Sequence, residues 1–322
     1  MPPVSLCMIV RNEEAHLADC LAAAVGLVDE IVVVDTGSTD ATCTIARQRG
    51  ARVYEFRWCD DFAAARNESV RLASCDWIFW LDADDRIDET NRLRLGRLFA
   101  NLSGENAAYL MRYVALDDGA PGRTSAVDHA RLFQKHPLVC WEYRVHEQIL
   151  PAVVRAGGTI RQSEVVLYHL GYRDAGVVRH KLQRNGRLLE LDAVDHPNDP
   201  VVLFNLGRTR LRLDRVADAV PPLTRSVREL PADLAHIRRT AYALLVEAHC
   251  RLRQSRQALT VCLEGRERYP NDPELLLAEG LVRRDLGDVG GAETCLLQLI
   301  DRNPADAAGH FHLNRLRSQP RK

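Results

Sequence analysis

The sequence predicts an α/β domain built on a parallel sheet, followed by an all-α domain of short helical repeats. Three observations carry this. Over roughly the first hundred residues, apolar strand-like runs alternate with stretches of helical periodicity. Strand patterns cease beyond about residue 174, where helical periodicity takes over. In that second region Pro197-Asn198-Asp199-Pro200 recurs as Pro270-Asn271-Asp272-Pro273, with an echo at Arg302-Asn303-Pro304-Ala305-Asp306.

Taken in order, Val4–Val10 reads as a short buried strand and Glu13–Ala24 as a helix with its stripe at Leu17, Leu21 and Ala24. Glu30–Val34 is a second buried strand. Thr39–Arg49 is a helix with Ser38 or Thr39 as N-cap and Gly50 at its end. Ala51–Phe56 is a third strand, and Phe62–Ala73 a helix capped by Asp60 or Asp61. Trp77–Leu81 is the fourth strand and Asp88–Leu102 the next helix. Such alternation predicts a parallel sheet covered on both faces. The pattern then loosens. Ala107–Leu116 alternates like an antiparallel strand, residues 117–122 form a turn cluster, Ala130–Gln134 and Val165–His169 look like strands, and Glu142–Val154 reads as helix. Residues 1–173 are therefore expected to form one domain, and 174–199 a helical linker.

Pro270 and Pro304 are 34 residues apart, as are Ala258 and Ala292, which is the tetratricopeptide period. Three units follow: 200–233, 239–272 and 273–306. Gly207 and Gly280 share a position, as do Ala219, Ala258 and Ala292, where packed helices approach closely. Unit two carries Val246 in place of that glycine, and 234–238 is an insertion. A generic helical bundle would not require these coincidences.

The chain is 322 residues long, 46% hydrophobic and 27% charged, with a formal net charge of −1. This supports a sizeable core and gives no argument for nucleic-acid binding or a polybasic membrane patch. No apolar run approaches the ~20 residues of a membrane span. The nine cysteines are scattered without a C-x-x-C pair, an odd count that fits reduced core thiols and a cytoplasmic setting. The first residues lack a basic n-region, so no signal peptide is expected.

Two acidic clusters follow predicted strands: Asp35 ahead of Thr36-Gly37-Ser38-Thr39-Asp40, and Asp82-Ala83-Asp84-Asp85 after Trp77–Leu81. Strand-end carboxylates face the crevice where open α/β sheets bind ligands. Asp35 can take a nucleoside hydroxyl or base edge, with Gly37 allowing close backbone approach; the same stretch also reads as a helix cap. Asp82 and Asp84, projecting alike from extended backbone, can hold a divalent cation against phosphate oxygens, or simply cap the next helix. Arg11-Asn12-Glu13-Glu14 stands where a dinucleotide fold needs a glycine-rich turn, which argues against an NAD enzyme. Asn12, Glu13, Asp35, Gly37, Ser38, Arg66, Asn67 and Asp82 form the expected nucleotide-binding set, although Arg66 also reads as a surface arginine. His169 can complete the metal shell, and Glu147, beside His146, can serve as general base.

Leu6–Glu14, Val33–Asp40 and Trp80–Asp85 resemble the motifs of family 2 glycosyltransferases. The similarity is to the branch with C-terminal tetratricopeptide repeats, which includes the sublancin-type peptide S-glycosyltransferases. It covers about residues 4–172, with the repeats beyond. The resemblance implies a GT-A (nucleotide-diphospho-sugar transferase) fold, an inverting hexosyl transfer, a nucleotide-sugar donor with UDP favoured, and a divalent cation, Mn²⁺ or Mg²⁺. Asp35 then corresponds to the nucleoside-binding acid, and Asp82 and Asp84 to the metal pair, Asp84 favoured as the direct ligand. Val145-His146-Glu147 and His169-Leu170-Gly171-Tyr172 also match the branch. Tyr143 departs from it, standing where a small residue or glycine is expected. The acceptor is expected to be a peptide or protein, with the repeats docking a partner or self-associating. Two other readings compete. In one, an inert domain carries a docking scaffold, which would not need the Asp35, Asp82 and Asp84 constellation. The other is nucleotidyl transfer, which wants a glycine- and lysine-rich loop after the first strand.

Overall fold

The computed structural model describes residues 2–104, 106–116, 125–171 and 175–318. Its compact units are Met1–Val178 and Arg179–Lys322. The turn cluster expected at 117–122 and Tyr172 lie outside the described residues.

The first unit contains β1 (Val4–Val10), α1 (Leu17–Ala24), β2 (Glu30–Asp35), α2 (Thr42–Gln48), β3 (Arg52–Glu55), α3 (Phe62–Leu72), β4 (Trp77–Trp80), β5 (Asp85–Arg86), α4 (Glu89–Ala100), β6 (Ala107–Ala115), β7 (Ser125–Gln134), α5 (Leu150–Arg155) and β8 (Thr159–His169). One sheet runs in the order β3-β2-β1-β4-β7-β6-β8-β5. The first four neighbours are parallel, and β7 joins β4 antiparallel. The chain steps from β1 to β2 on one side and later to β4 on the other. The carboxyl ends of β1 and β4 therefore flank a switch point, where open sheets form their crevice.

Successive side chains of each strand point to opposite faces. Leu6, Met8, Val33 and Phe79 pack with Leu17, Leu21, Ala46, Leu95 and Phe99 under α1, α2 and α4. Cys7, Val32, Ile78 and Trp80 pack the other way, with Ala63, Trp141, Ile149 and Val153 around α3 and α5. The parallel half thus matches the expectation of a sheet covered on both faces.

Several elements differ in extent. The first helix starts at Leu17 and the second at Thr42, because the residues before them cross-link two loops. Asn12 N–H donates to Ser38 Oγ at 2.9 Å, Thr39 N–H to Asn12 Oδ1 at 2.8 Å and Ala41 N–H to Glu14 Oε2 at 3.0 Å. Asp61 caps α3 and Asp88 caps α4 through their side chains. β7 begins at Ser125 and β8 at Thr159, both earlier than their apolar cores suggest. The helix expected over Glu142–Val154 is confined to Leu150–Arg155. Glu142 and Gln148 exchange both backbone hydrogen bonds at 3.0 Å, closing a loop in which Tyr143 (φ 71°) and His146 (φ 57°) are left-handed. That region favours glycine, so Tyr143 stands where a glycine would be relaxed.

The second unit stacks helices: the greater part of α6 (Ala175–Asp195), then α7 (Pro200–Arg212), α8 (Val216–Glu229), α9 (Ala235–Arg251), α10 (Ser255–Arg268), α11 (Pro273–Asp285), α12 (Val289–Arg302) and α13 (Ala307–Arg317). Consecutive helices from α7 to α13 pack on one another. The repeated Asn-Asp-Pro phrase has a local cause. Asp199 and Asp272 cap α7 and α11 through their side chains, and the following proline occupies the first turn, where no N–H is needed. Asp306 does the same for α13 without the proline. Ala219, Ala258 and Ala292 are fully buried. Of the inserted residues 234–238, Leu234 ends a 3-10 turn (Ala232–Leu234) and the rest open α9. Val246 is buried against Ala258, Cys262 and Val282.

Gly207 marks the tightest of these crossings. A Cβ there would lie 2.5 Å from Leu223 Cγ and 3.3 Å from the Ala219 carbonyl. Gly207→Ala is expected to destabilise the protein by ~1–3 kcal/mol. At Gly290 an added Cβ meets nothing within 4 Å, so Gly290→Ala should be neutral or stabilising by up to ~1 kcal/mol. Urea unfolding monitored at 222 nm checks the pair, and equal midpoints would contradict the close approach.

Candidate active site

Asp82, Ala83 and Asp84 do not continue β4 as extended chain. They form a turn in which Asp85 N–H donates to the Asp82 carbonyl at 3.0 Å. The two carboxylates leave this turn for different partners, where the expectation was that they project alike. Asp84 turns towards β8: its Oδ2 is 3.4 Å from His169 Nε2. Asp82 Oδ1 instead accepts from Arg66 Nη2 at 3.0 Å, and its Oδ2 is 3.8 Å from Arg131 Nη2. Cys20 Sγ contacts the Asp82 carbonyl at 3.3 Å.

Asp85 is the residue that sequence reasoning missed. It begins β5, whose register sets it opposite His169 on β8. Its side chain is fully buried. Oδ1 lies 3.0 Å from His169 Nδ1; Oδ2 accepts from Arg131 Nη1 at 2.8 Å and from Asp82 N–H at 2.9 Å. Arg131, on β7, is also missing from the sequence-derived set. It is buried, and its guanidinium sits 3.7 Å from the Trp80 ring centroid and 4.6 Å from that of Tyr113. An arginine inside the apolar run Ala130–Phe133 was the available signal.

Arg66 and Asn67 lie in α3. Arg66 is 7% exposed. Its Nε donates to Glu147 Oε1 at 2.6 Å, and its guanidinium sits 4.1 Å from the Trp80 ring centroid and 5.2 Å from that of Trp141. Burial lowers the affinity of Arg66 for its proton, but the charges of Glu147 and Asp82 outweigh it and the pKa rises. Burial likewise disfavours the Asp82 carboxylate, yet Arg66 and Arg131 bring its pKa down to about 2. The Asn67 amide holds both backbone groups of Trp141, donating to its carbonyl at 3.0 Å and accepting from its N–H at 2.8 Å. Asn67 therefore fastens the loop that carries His146 and Glu147. Both residues lie at the base of that loop's contacts with α3, where Phe62 N–H also donates to the Arg144 carbonyl at 2.9 Å.

Asp35 ends β2 and is buried. Its carboxylate closes the turn that follows: Gly37 N–H donates to its Oδ2 at 3.2 Å and Ser38 N–H at 3.0 Å. Gly37 is left-handed at φ 106°. Asn12, also left-handed at φ 55°, ties the end of β1 to Ser38 and Thr39. Glu13 N–H donates to Thr42 Oγ1 at 2.7 Å. The structure thus joins Asn12, Glu13, Asp35, Gly37 and Ser38 in one loop pair at the ends of β1 and β2. Asp84 and His169 meet at the far side of β4, with Asp85 behind them, and Arg66 links Asp82 to Glu147.

The donor set fits a divalent cation. Ligand atoms of Asp84, Asp85 and His169 all lie within 4.8 Å of one another. Carboxylate oxygens with one imidazole nitrogen suit Mn²⁺ or Mg²⁺. With Nδ1 turned to Asp85, the ring presents Nε2 on the Asp84 side, the arrangement in which a carboxylate orients a ligating histidine. Burial opposes protonation of His169, but the Asp85 hydrogen bond and the charges of Asp84 and Asp85 raise its pKa above the ordinary 6.5. The nine cysteines are free thiols; burial pushes Cys7 up to about 12, so it is unreactive.

Removing Arg131 would strand the buried Asp85 charge. Arg131→Met is expected to cost ~3–5 kcal/mol of stability. Thermal denaturation checks this, and a melting temperature equal to that of the unaltered protein would contradict it.

Residues 5–148 match the model described as glycosyl transferase family 2. A TPR repeat-containing protein of Synechococcus elongatus is 34% identical over 220 residues, 64% of this chain and 52% of that protein. The SPbeta prophage-derived glycosyltransferase SunS of Bacillus subtilis is 27% identical over 238 residues, 70% of this chain and 53% of that protein. The chain spans about half the length of these curated relatives. Glucosyl-3-phosphoglycerate synthase from Mycobacterium tuberculosis overlays with a TM-score of 0.42 at 17% identity, over 59% of this chain and 79% of that one. Among the described residues no helix is long and apolar enough to cross a membrane. Residues 5–148, most of the α/β unit, thus carry the similarity to glycosyl transferase family 2, and stacked helices follow them.

Proposed function

We propose that this chain is a metal-dependent inverting glycosyltransferase that moves a hexosyl group from a nucleotide sugar, UDP favoured, to a polypeptide acceptor. The observation that carries the reading is the Asp84–Asp85–His169 cluster beside the switch point of a family 2 domain. Asp84 and His169 Nε2 would hold Mn²⁺ or Mg²⁺, which supplies Lewis-acid stabilisation of the departing diphosphate. Asp35, with the Gly37 and Ser38 backbone, lines the loop pair that would receive the nucleoside. Glu147 would take the acceptor proton as the acceptor attacks the anomeric carbon from the face opposite the leaving group. Free thiols and the lack of a spanning helix among the described residues support a cytoplasmic setting, which protease protection in fractionated cells would test.

A panel of nucleotide sugars with Mn²⁺ or Mg²⁺, scored for donor hydrolysis, tests the reading. The expected outcome is metal-dependent hydrolysis of at least one donor. UDP affinity by calorimetry should fall at least ~10-fold with chelator and in Asp84→Ala. Unchanged affinity in both would reject the metal role. If no donor is cleaved by the intact protein, an inert domain carrying a docking scaffold becomes the better reading.

The repeats are read as the docking surface for that acceptor, or for a second copy of the chain, since stacked helix pairs present an extended face to a polypeptide. Light scattering tests self-association. Loss of residues 200–322 should abolish transfer to a polypeptide while donor hydrolysis by residues 1–199, checked for folding by circular dichroism, persists. Full transfer by that shortened chain, with the intact protein monomeric, would remove the docking role.

A further inference from the structure

We infer that Arg66 and Asp82 form a positioning pair for Glu147, so that Asp82 serves the base side of the reaction through Arg66 instead of holding the cation. The inference rests on the reading of Glu147 as general base.

The geometry is a bridge with one cation in the middle. Arg66 Nε meets Glu147 at 2.6 Å and its Nη2 meets Asp82 at 3.0 Å. The guanidinium is planar with its donors in a fixed fork, so two carboxylates on separate nitrogens set each other's direction. Trp80 and Trp141 flank the fork and limit its rotation. The fork is not needed to attach the loop, because Asn67 holds the Trp141 backbone and Phe62 holds the Arg144 carbonyl. What Arg66 adds is aimed at the Glu147 carboxylate itself. It engages Oε1 and leaves Oε2 as the oxygen that can meet an acceptor.

The second carboxylate has a reason in the charge balance. A bond forms between the acceptor atom and the anomeric carbon, and the carbon–oxygen bond to the diphosphate breaks, its electron pair leaving with the diphosphate. The acceptor proton passes to Glu147 Oε2. Glu147 is then neutral, and a buried arginine with no other anion would be left uncompensated. Asp82 supplies that anion before and after the transfer. It also stays outside the group of ligand atoms formed by Asp84, Asp85 and His169.

The test uses the intact chain, Mn²⁺ and whichever nucleotide sugar of the panel is hydrolysed fastest. The variants are Arg66→Met, Arg66→Lys, Asp82→Asn, Glu147→Gln and the double variant Arg66→Met with Glu147→Gln. Arg66→Met and Asp82→Asn should lower kcat for hydrolysis by ~10- to 100-fold. Their Kd for UDP with Mn²⁺ should stay within about twofold, because neither touches the cation. Arg66→Lys should fall between, keeping the charge and losing the fork. The double variant should be no slower than Glu147→Gln alone, because Arg66 acts through Glu147. If Arg66→Met does not fold, Asp82→Asn and Arg66→Lys carry the comparison. Weakened Mn²⁺–UDP binding in Asp82→Asn overturns the inference, as does a double variant slower by the product of the single effects. Hydrolysis by Glu147→Gln at the unaltered rate overturns the base reading and the inference with it. A slow Glu147→Gln with unaltered kcat in Arg66→Met and Asp82→Asn overturns the positioning role alone.

Discussion

The candidate active site depends on satisfying one buried carboxylate. Asp85 has no exposure to water, where an isolated anion would be far too costly to persist. Its partners come from three places: Arg131 on β7, His169 on β8 and the backbone of its own turn. Meeting those three bonds at once fixes how the end of β4, the middle of β7 and the end of β8 sit against one another. The His169 ring is aimed as a by-product of this. Arg131 is also pinned from outside, stacked on Trp80 and Tyr113, so the aromatic packing of the sheet and the orientation of the candidate ligand are one problem.

Around that pair the charges do not cancel. Asp82, Asp84, Asp85 and Glu147 face two guanidiniums, Arg66 and Arg131. The excess is two negative charges, concentrated on the Asp84 and His169 side because the arginines sit with the other three carboxylates. The aspartates also raise the pKa of His169 above its ordinary value. A divalent cation would offset both negative charges. The same distribution explains how two aspartates in a D-x-D pattern come to differ. One turn of backbone commits Asp82 to arginine and leaves Asp84 oriented towards His169.

Much of the fold was legible because its signals are local. Strand-helix alternation, the Asp61 cap and the 34-residue spacing are each read from the sequence pattern itself. The mixed half of the sheet was harder to read. β7 opens with Ser125-Ala126-Val127-Asp128-His129 and β8 with Thr159-Ile160-Arg161-Gln162, stretches too polar to announce strands, since exposed positions in a strand need not be apolar. The loop before α5 was misleading for a definite reason. Val145, Ile149 and Val153 are all buried at a spacing of four, which imitates a helical stripe. Left-handed backbone at Tyr143 and His146 breaks the helix that this stripe suggests.

The contrast between the two halves of the chain follows from how far apart interacting residues lie in sequence. In the repeats, each aspartate of an Asn-Asp-Pro phrase bonds a backbone N–H two or three residues on, so the phrase contains its own explanation and recurs wherever that helix start recurs. In the α/β unit, Arg66 meets Glu147 across 81 residues and Asp85 meets His169 across 84. No local pattern distinguishes an arginine bound for a carboxylate at that distance from one bound for solvent. Strand-end position did indicate that carboxylates would gather at the crevice, since topology sends the ends of β1, β2 and β4 to one edge. Which carboxylate faces His169 and which faces an arginine is decided by the turn at Asp82–Asp85 and by the register of β5 on β8. Both exist only once the sheet has formed.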